Sequence, residues 1–160
     1  MSLSDRRLFL IGLAALAGCG FTPAYGPGGA GAALQGKVRI AEPSDRNGFD
    51  LVQRLEDRLG RASAPRYLLD FTITTDRIGV GITPDNAITR YDLTGKVDWV
   101  LTDMAGTRIT GGTAQGFAGY SATGSTVAGL AAEDDAGVRL MRNLADQIVT
   151  QLIATPGLAP

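Results

Sequence analysis

The sequence predicts an α+β two-layer sandwich, with two amphipathic helices packed on one face of a four-stranded, mostly antiparallel sheet in the order β-α-β-β-β-α. Three observations carry this prediction. Tyr91, Leu93, Val97, Trp99 and Leu101 alternate with Arg90, Asp92, Lys96 and Asp98, as in an antiparallel strand with one face buried. Two other segments switch to apolar residues at helical spacing, one ahead of the long strands and one closing the chain. Turn-forming clusters, "TPDN" (Thr83–Asn86) and "DMAG" (Asp103–Gly106), separate the strands.

In chain order, residues 1–18 have the layout of a secretory signal. Arg6 and Arg7 precede an apolar run of ten, "LFLIGLAALA" (Leu8–Ala17), which suits a signal core and is shorter than the roughly 20 residues a spanning helix needs. "RRLFL" also resembles a twin-arginine export motif, so both export routes stay open. Leu16-Ala17-Gly18-Cys19 resembles the lipobox of bacterial lipoproteins, which makes Cys19 the lipidated first residue of the mature chain. Several acyl chains hold a protein stably where one binds marginally. "GPGGAGAALQG" (Gly26–Gly36) carries no charge and reads as a flexible spacer. The organisation is a leader (1–18), a lipid-anchored flexible linker (19–36) and one domain (37–160).

The domain opens with a short strand, "KVRIA" (Lys37–Ala41). A helix follows over Asn47–Arg61, with Leu51, Val52, Leu55 and Leu59 on one face, Asn47 as cap and Pro65 as stop. In the second strand, Arg66–Asp76, the residues Tyr67, Leu69, Phe71 and Ile73 share a face. Beyond it Ile78, Val80 and Ile82 carry the apolar positions on even numbers, and a bulge near Asp76–Arg77 would produce that switch. The third strand is Ile88–Thr102. The fourth, Thr107–Ala122, is loosened by glycines. The closing helix runs from about Thr126 to Ala154 on Val127, Leu130, Val138, Met141, Leu144, Ile148 and Leu152. Glu133, Asp134 and Asp135 fall toward its N-terminal end, favoured by the helix dipole but somewhat beyond its strongest reach, and Pro156 ends it.

Composition removes most chemistry. The 160 residues hold no histidine and one cysteine, so there is no internal disulfide and no His/Cys set for a transition metal. The formal net charge of −1 provides no basic stripe for nucleic acid. "GYSATG" (Gly119–Gly124) only glances at a nucleophile elbow, with Thr123 where the second glycine belongs and no histidine to act as base. Asp92 and Asp98 share a strand face with Arg90 and Lys96, as alternating charges on a wet sheet do. The glycine-rich stretch follows no strand and lacks a P-loop lysine. The reading is a non-enzyme with no cofactor beyond the covalent lipid on Cys19. Its polar strand face, with Arg90, Lys96 and Arg77, is either an anionic-lipid contact or an ordinary solvated face.

Three segments resemble the LptE family of lipopolysaccharide-assembly lipoproteins in its alphaproteobacterial form. They are "GCGFTPAYG" at the mature start, "ITRYDLTGKVDWVLTD" (Ile88–Asp103) as the central strand, and "GYSATGSTVAGLAAEDDAGVRLMRNLADQIVTQLIA" (Gly119–Ala154) as the closing loop and helix. The resemblance implies two helices on a four-stranded sheet. It also implies a lipid-anchored protein at the periplasmic face of the outer membrane, held in its inner leaflet. Such a protein plugs and helps assemble the LptD-type β-barrel and binds lipopolysaccharide during its delivery. Arg77, Arg90 and Lys96 are the lipopolysaccharide-contact candidates, chosen from strand facing. Tyr120, Ser121, Thr123 and Ser125, in a loop of small polar residues, are the barrel-contact candidates. The other function considered is an auxiliary lipoprotein of an ABC-type lipid transport system, a class of similar two-layer shape.

Overall fold

A computed structural model describes residues 26, 29–84, 86–122 and 125–158. The leader, Cys19 and Thr123 lie outside the described residues. The elements are α1 (Ala30–Leu34), β1 (Val38–Ile40), α2 (Arg46–Leu59), β2 (Tyr67–Ile82), β3 (Ile88–Asp103), β4 (Arg108–Ser121) and α3 (Thr126–Ile153). The strands form one sheet in the order β1-β2-β3-β4. β1 runs parallel to the start of β2, pairing Val38–Ile40 with Tyr67–Leu69. The β2–β3 and β3–β4 ladders are long and antiparallel.

One face of this sheet is apolar, and both long helices lie on it. Leu69, Val97, Trp99 and Leu101 point into a core with Leu51, Leu55 and Leu59 of α2 and Leu140, Met141, Leu144, Ile148 and Leu152 of α3. Each buried leucine contributes about 1.5–3 kcal/mol relative to leaving it in water. The fourth strand contributes shape rather than bulk. On its helix-facing side, Gly112, Ala114, Gly116 and Ala118 form a row of small residues, and Gly95 of β3 pairs with Gly116. α3 seats closely there. A Cβ on Gly95 would stand 2.9 Å from Leu140 Cδ2 and 3.1 Å from Leu144 Cδ1.

The helices meet side by side. Arg54 places Nε and Nη2 on the two oxygens of Asp146 at 3.2 and 2.9 Å, and Arg58 Nη1 adds a third contact at 3.0 Å. Bidentate geometry of this kind fixes orientation as well as adding energy. Trp99 Nε1 donates to Gln151 Oε1 at 2.9 Å, so the one tryptophan is satisfied where it is buried.

Several expectations are corrected at this level. The spacer does not stay loose up to Gly36: Ala30–Leu34 is helical and Leu34 is fully buried. Its alanines favour a turn of helix, and Leu34 has a core to enter. Asp45, not Asn47, caps α2; its carboxylate accepts from Gly48 N at 2.7 Å. Gly60, at φ +73°, ends that helix before Pro65 is reached. No bulge lies at Asp76–Arg77, where the register with β3 is unbroken; the irregularities come later, between Gly79 and Ile82. Because β2 runs straight, Ile78 and Val80 emerge on the helix-free face. Glu133, Asp134 and Asp135 lie past the first turn of α3 and pair with Arg77, Arg46 and Arg139.

Two glycines test this packing in opposite directions. Gly95→Val should lower the unfolding free energy by about 1–3 kcal/mol, because the new side chain enters a filled core. Gly129, inside α3 with nothing near its would-be Cβ, should gain about 0.5–1 kcal/mol as alanine. Urea unfolding of the three proteins measures both; a neutral Gly95→Val would show that the close seating of α3 is absent in solution.

Candidate functional site

The surface that remains is the helix-free face of the sheet. Pairing sets its rows: Ile78, Asp92 and Gly119; Asp76, Thr94 and Phe117; Thr74, Lys96 and Gln115; Thr72, Asp98 and Thr113. Between them runs an open trough of about 570 Å³, walled by Ile78, Val80 and Phe117 and flanked by Asp76, Asp92 and Lys96. Phe117 is 65% exposed, the most open aromatic in the trough. Polar floor and apolar walls together suit an amphipathic partner better than a small polar metabolite.

Arg90 and Lys96 lie on this face, as strand facing predicted, but apart: six strand residues span about 20 Å. Each has its own carboxylate two residues on. Arg90 Nε stands 3.8 Å from Asp92 Oδ1, an ion pair too long for a hydrogen bond. Lys96 Nζ lies 2.7 Å from Asp98 Oδ2, and Asp98 Oδ1 accepts from the Thr113 hydroxyl at 2.6 Å. Lys96 first, and then Thr113, hold the Asp98 carboxyl below the usual carboxylate range.

Arg77 does not join them. Odd positions of β2 face the helices, so its guanidinium sits 5.0 Å over the ring of Tyr91 and pairs with Glu133 of α3 at 3.3 Å. Tyr91 stacks on Tyr120 across the strands, with centroids 5.6 Å apart. Tyr120 is therefore buried at 7% exposure, which corrects its reading as an exposed contact residue. Its hydroxyl is buried and accepts or donates no hydrogen bond of good geometry among the described residues. Burial raises its pKa, while the neighbouring Arg77 pulls the other way. Ser121 donates to Thr89 O at 3.4 Å, and Ser125 caps α3 by accepting from Ala128 N at 3.3 Å. Both serines are exposed. The Tyr91–Tyr120 stack borders a second depression of about 270 Å³ that reaches Ser125 and Leu130.

Sequence reading missed the apolar walls of the trough. Their signal was present in the even-numbered Ile78 and Val80; a strand allowed to continue straight places them outside. Phe117 carried a similar signal, being odd-numbered in a strand whose buried positions are even. Among the described residues no group of three His, Cys, Asp or Glu side chains is arranged to hold a metal ion. No described helix is long and apolar enough to cross a membrane, which says nothing of crossing by strands.

Residues 36–152 match the family model described as LptE, lipopolysaccharide-assembly. Several solved structures share the fold. A candidate lipoprotein from Caulobacter crescentus is 24% identical, with a TM-score of 0.66 over 78% of this chain and 92% of that one. A minor lipoprotein from Acinetobacter baumannii is 22% identical, with a TM-score of 0.57 over 74% and 89%. Rare lipoprotein B from Shewanella oneidensis is 12% identical, with a TM-score of 0.56 over 72% and 91%. No curated protein matches the chain.

The Lys96–Asp98–Thr113 set gives a measurable pH signature. A carboxyl whose folded pKa is depressed adds stability above its unfolded pKa, and that stability is lost as pH falls through the folded value, here below about pH 4. In Lys96→Met, Asp98 should titrate closer to the ordinary carboxylate value. NMR titration of the side-chain carboxyl in both proteins checks this; coincident midpoints would show that Lys96 does not hold Asp98.

Proposed function

Because this chain belongs to the LptE family of lipopolysaccharide-assembly lipoproteins, we propose that it plugs and helps assemble an LptD-type outer-membrane β-barrel and binds lipopolysaccharide during its delivery. The family is non-enzymatic, and the protein works by binding. A lipid on Cys19 anchors it in the inner leaflet of the outer membrane, at the periplasmic face.

The family match carries this reading, and the shape of the molecule supports it. Arg46 at the start of α2 pairs with Asp134, so the first two turns of α3 project past α2. Val127 and Leu130 stand exposed on that projection, at the same end as Ile78, Val80 and Ile88. An elongated domain with apolar residues concentrated at one end suits insertion into a larger partner. For lipopolysaccharide, the trough offers Ile78, Val80 and Phe117 to acyl chains and Lys96 to a phosphate, with Arg90 on the same face. Arg77, engaged with Tyr91 and Glu133 on the helix side, is the weakest of the three contact candidates.

Purification of the full chain from detergent-solubilised outer membranes, with Cys19 intact, should bring down a β-barrel in equal amount. Recovery of an ABC permease complex with no barrel would replace this reading with the auxiliary-lipoprotein one. Arg90→Glu combined with Lys96→Glu should weaken lipopolysaccharide binding several-fold while the domain stays folded, with a slightly lower melting temperature from the lost pairs with Asp92 and Asp98. Unaltered binding would remove these two residues from the contact.

A further inference from the structure

The two long edges of the sheet are treated differently. Any edge strand presents unpaired backbone groups and invites another strand. At β4 the closing helix covers them. The Gln147 side-chain amide donates to Gln115 O at 3.0 Å and accepts from Gln115 N at 3.4 Å. Gln151 Nε2 donates to Thr113 O at 3.0 Å, and Arg139 Nη2 to Gly119 O at 3.2 Å. On the other side, β1 covers only Tyr67–Leu69 of β2, and Pro43 follows close behind it.

Two contacts show which backbone groups of β2 face that uncovered side. Leu69 O accepts from Ala41 N at 2.9 Å, on the β1 side. Asp76 O accepts from the Thr94 hydroxyl at 3.1 Å, on the β3 side. Alternation then turns the backbones of Phe71, Ile73, Thr75 and Arg77 outward. Among the described residues, only the Arg77 N–H of these is taken, by the carboxylate of Asp76 at 2.8 Å. About 20 Å of edge is left to pair.

We propose that the β2 edge from Phe71 to Arg77 receives an extended segment of the barrel partner as an added strand. The proposal rests on the plug reading and names where the partner docks. The edge itself describes the segment. Asp70 and Asp76 stand exposed on the outer row and enter no ion pair among the described residues. Phe71 and Ile73 stand half-buried on the helix-side row. A fitting segment carries basic side chains opposite the two aspartates and apolar ones opposite Phe71 and Ile73. The exposed Ile78 and Val80 continue the same strand toward its tip.

A second copy of this chain fits poorly. β1 blocks the edge up to Leu69, so an antiparallel two-fold copy must shift toward the tip. The longest register then open sets Asp76 against its own counterpart, and the next sets Arg77 against its own. Like charges facing each other across strands are destabilising.

Thr75→Pro removes one outward N–H and leaves the ladder to β3 intact, a place where an edge strand tolerates proline. The full chain carrying it, co-expressed with the barrel, should keep its melting temperature to within a few degrees while barrel recovery falls about tenfold. Asp70→Lys with Asp76→Lys, which removes no backbone donor, should reduce recovery several-fold and decides the matter if the proline variant does not fold. Full recovery with the charge variant and with any folded proline variant overturns the edge proposal and leaves the plug reading standing. No barrel with the unaltered chain overturns both. Self-association of the unaltered chain that Thr75→Pro abolishes would overturn it in favour of a second copy.

Discussion

The close seating of α3 on strands β3 and β4 is the contact on which the rest of the molecule depends. It exists because the middle of one side of β4 carries only small residues, Gly112, Ala114, Gly116 and Ala118, next to Gly95 of β3. At Gly112 a Cβ would stand 2.8 Å from Gln151 Oε1, the atom that accepts from Trp99. The glycines that weaken β4 as a strand are the ones that let the helix come near. Nearness has consequences at a distance. It lets Gln147 and Gln151 reach the β4 backbone and places Asp146 where Arg54 and Arg58 clamp α2 alongside. The helix side of the sheet is closed as a result, and one edge with it.

What stays open is the opposite face and the β2 edge, and these have the chemistry of a binding surface. The open face mixes alternating ion pairs with Ile78, Val80 and Phe117. The exposed Lys96–Asp98 pair adds little stability, commonly about 0–1 kcal/mol, so Lys96 is free to exchange its partner for a ligand's charge. Arg90, by contrast, faces an Asp92 oxygen that is buried with no hydrogen bond among the described residues. The tyrosine stack beneath Arg77 stiffens the distal end from the helix side. Closing one side of the sheet while leaving the other open gives a supported body with one accessible face.

Much of the fold was legible in the sequence because its signals are local. The alternation from Tyr91 to Leu101 and the 3–4 spacing from Val138 to Leu152 fixed which faces are buried, and the layer arrangement followed. The parallel β1–β2 pairing and the strand order were not legible, since nothing local encodes which edge a three-residue strand joins. The bulge was misplaced because apolar residues were required to face the core; Ile78 and Val80 do not. Tyr120, at the end of the expected fourth strand, was grouped with the polar loop after it, although its even number, shared with Ala114 and Ala118, places it on the helix side. The cap at Asp45 and the stop at Gly60 had readable signals that a stronger expectation at Asn47 and Pro65 obscured. For the candidate site, Arg90 and Lys96 were found by facing alone, while their partition into separate ion pairs needed the cross-strand register.

The central claim is that this protein meets its partner through the helix-free face and the β2 edge, with the helices as support. Photo-crosslinking from single positions in the membrane-anchored chain tests it most directly. Probes at Asp70 and Thr75 on the β2 edge should capture the barrel, probes at Val80 and Phe117 in the trough should capture lipopolysaccharide, and probes at Gln53 and Arg142 on the helical layer should capture neither. Crosslinks confined to the helical layer would contradict the account.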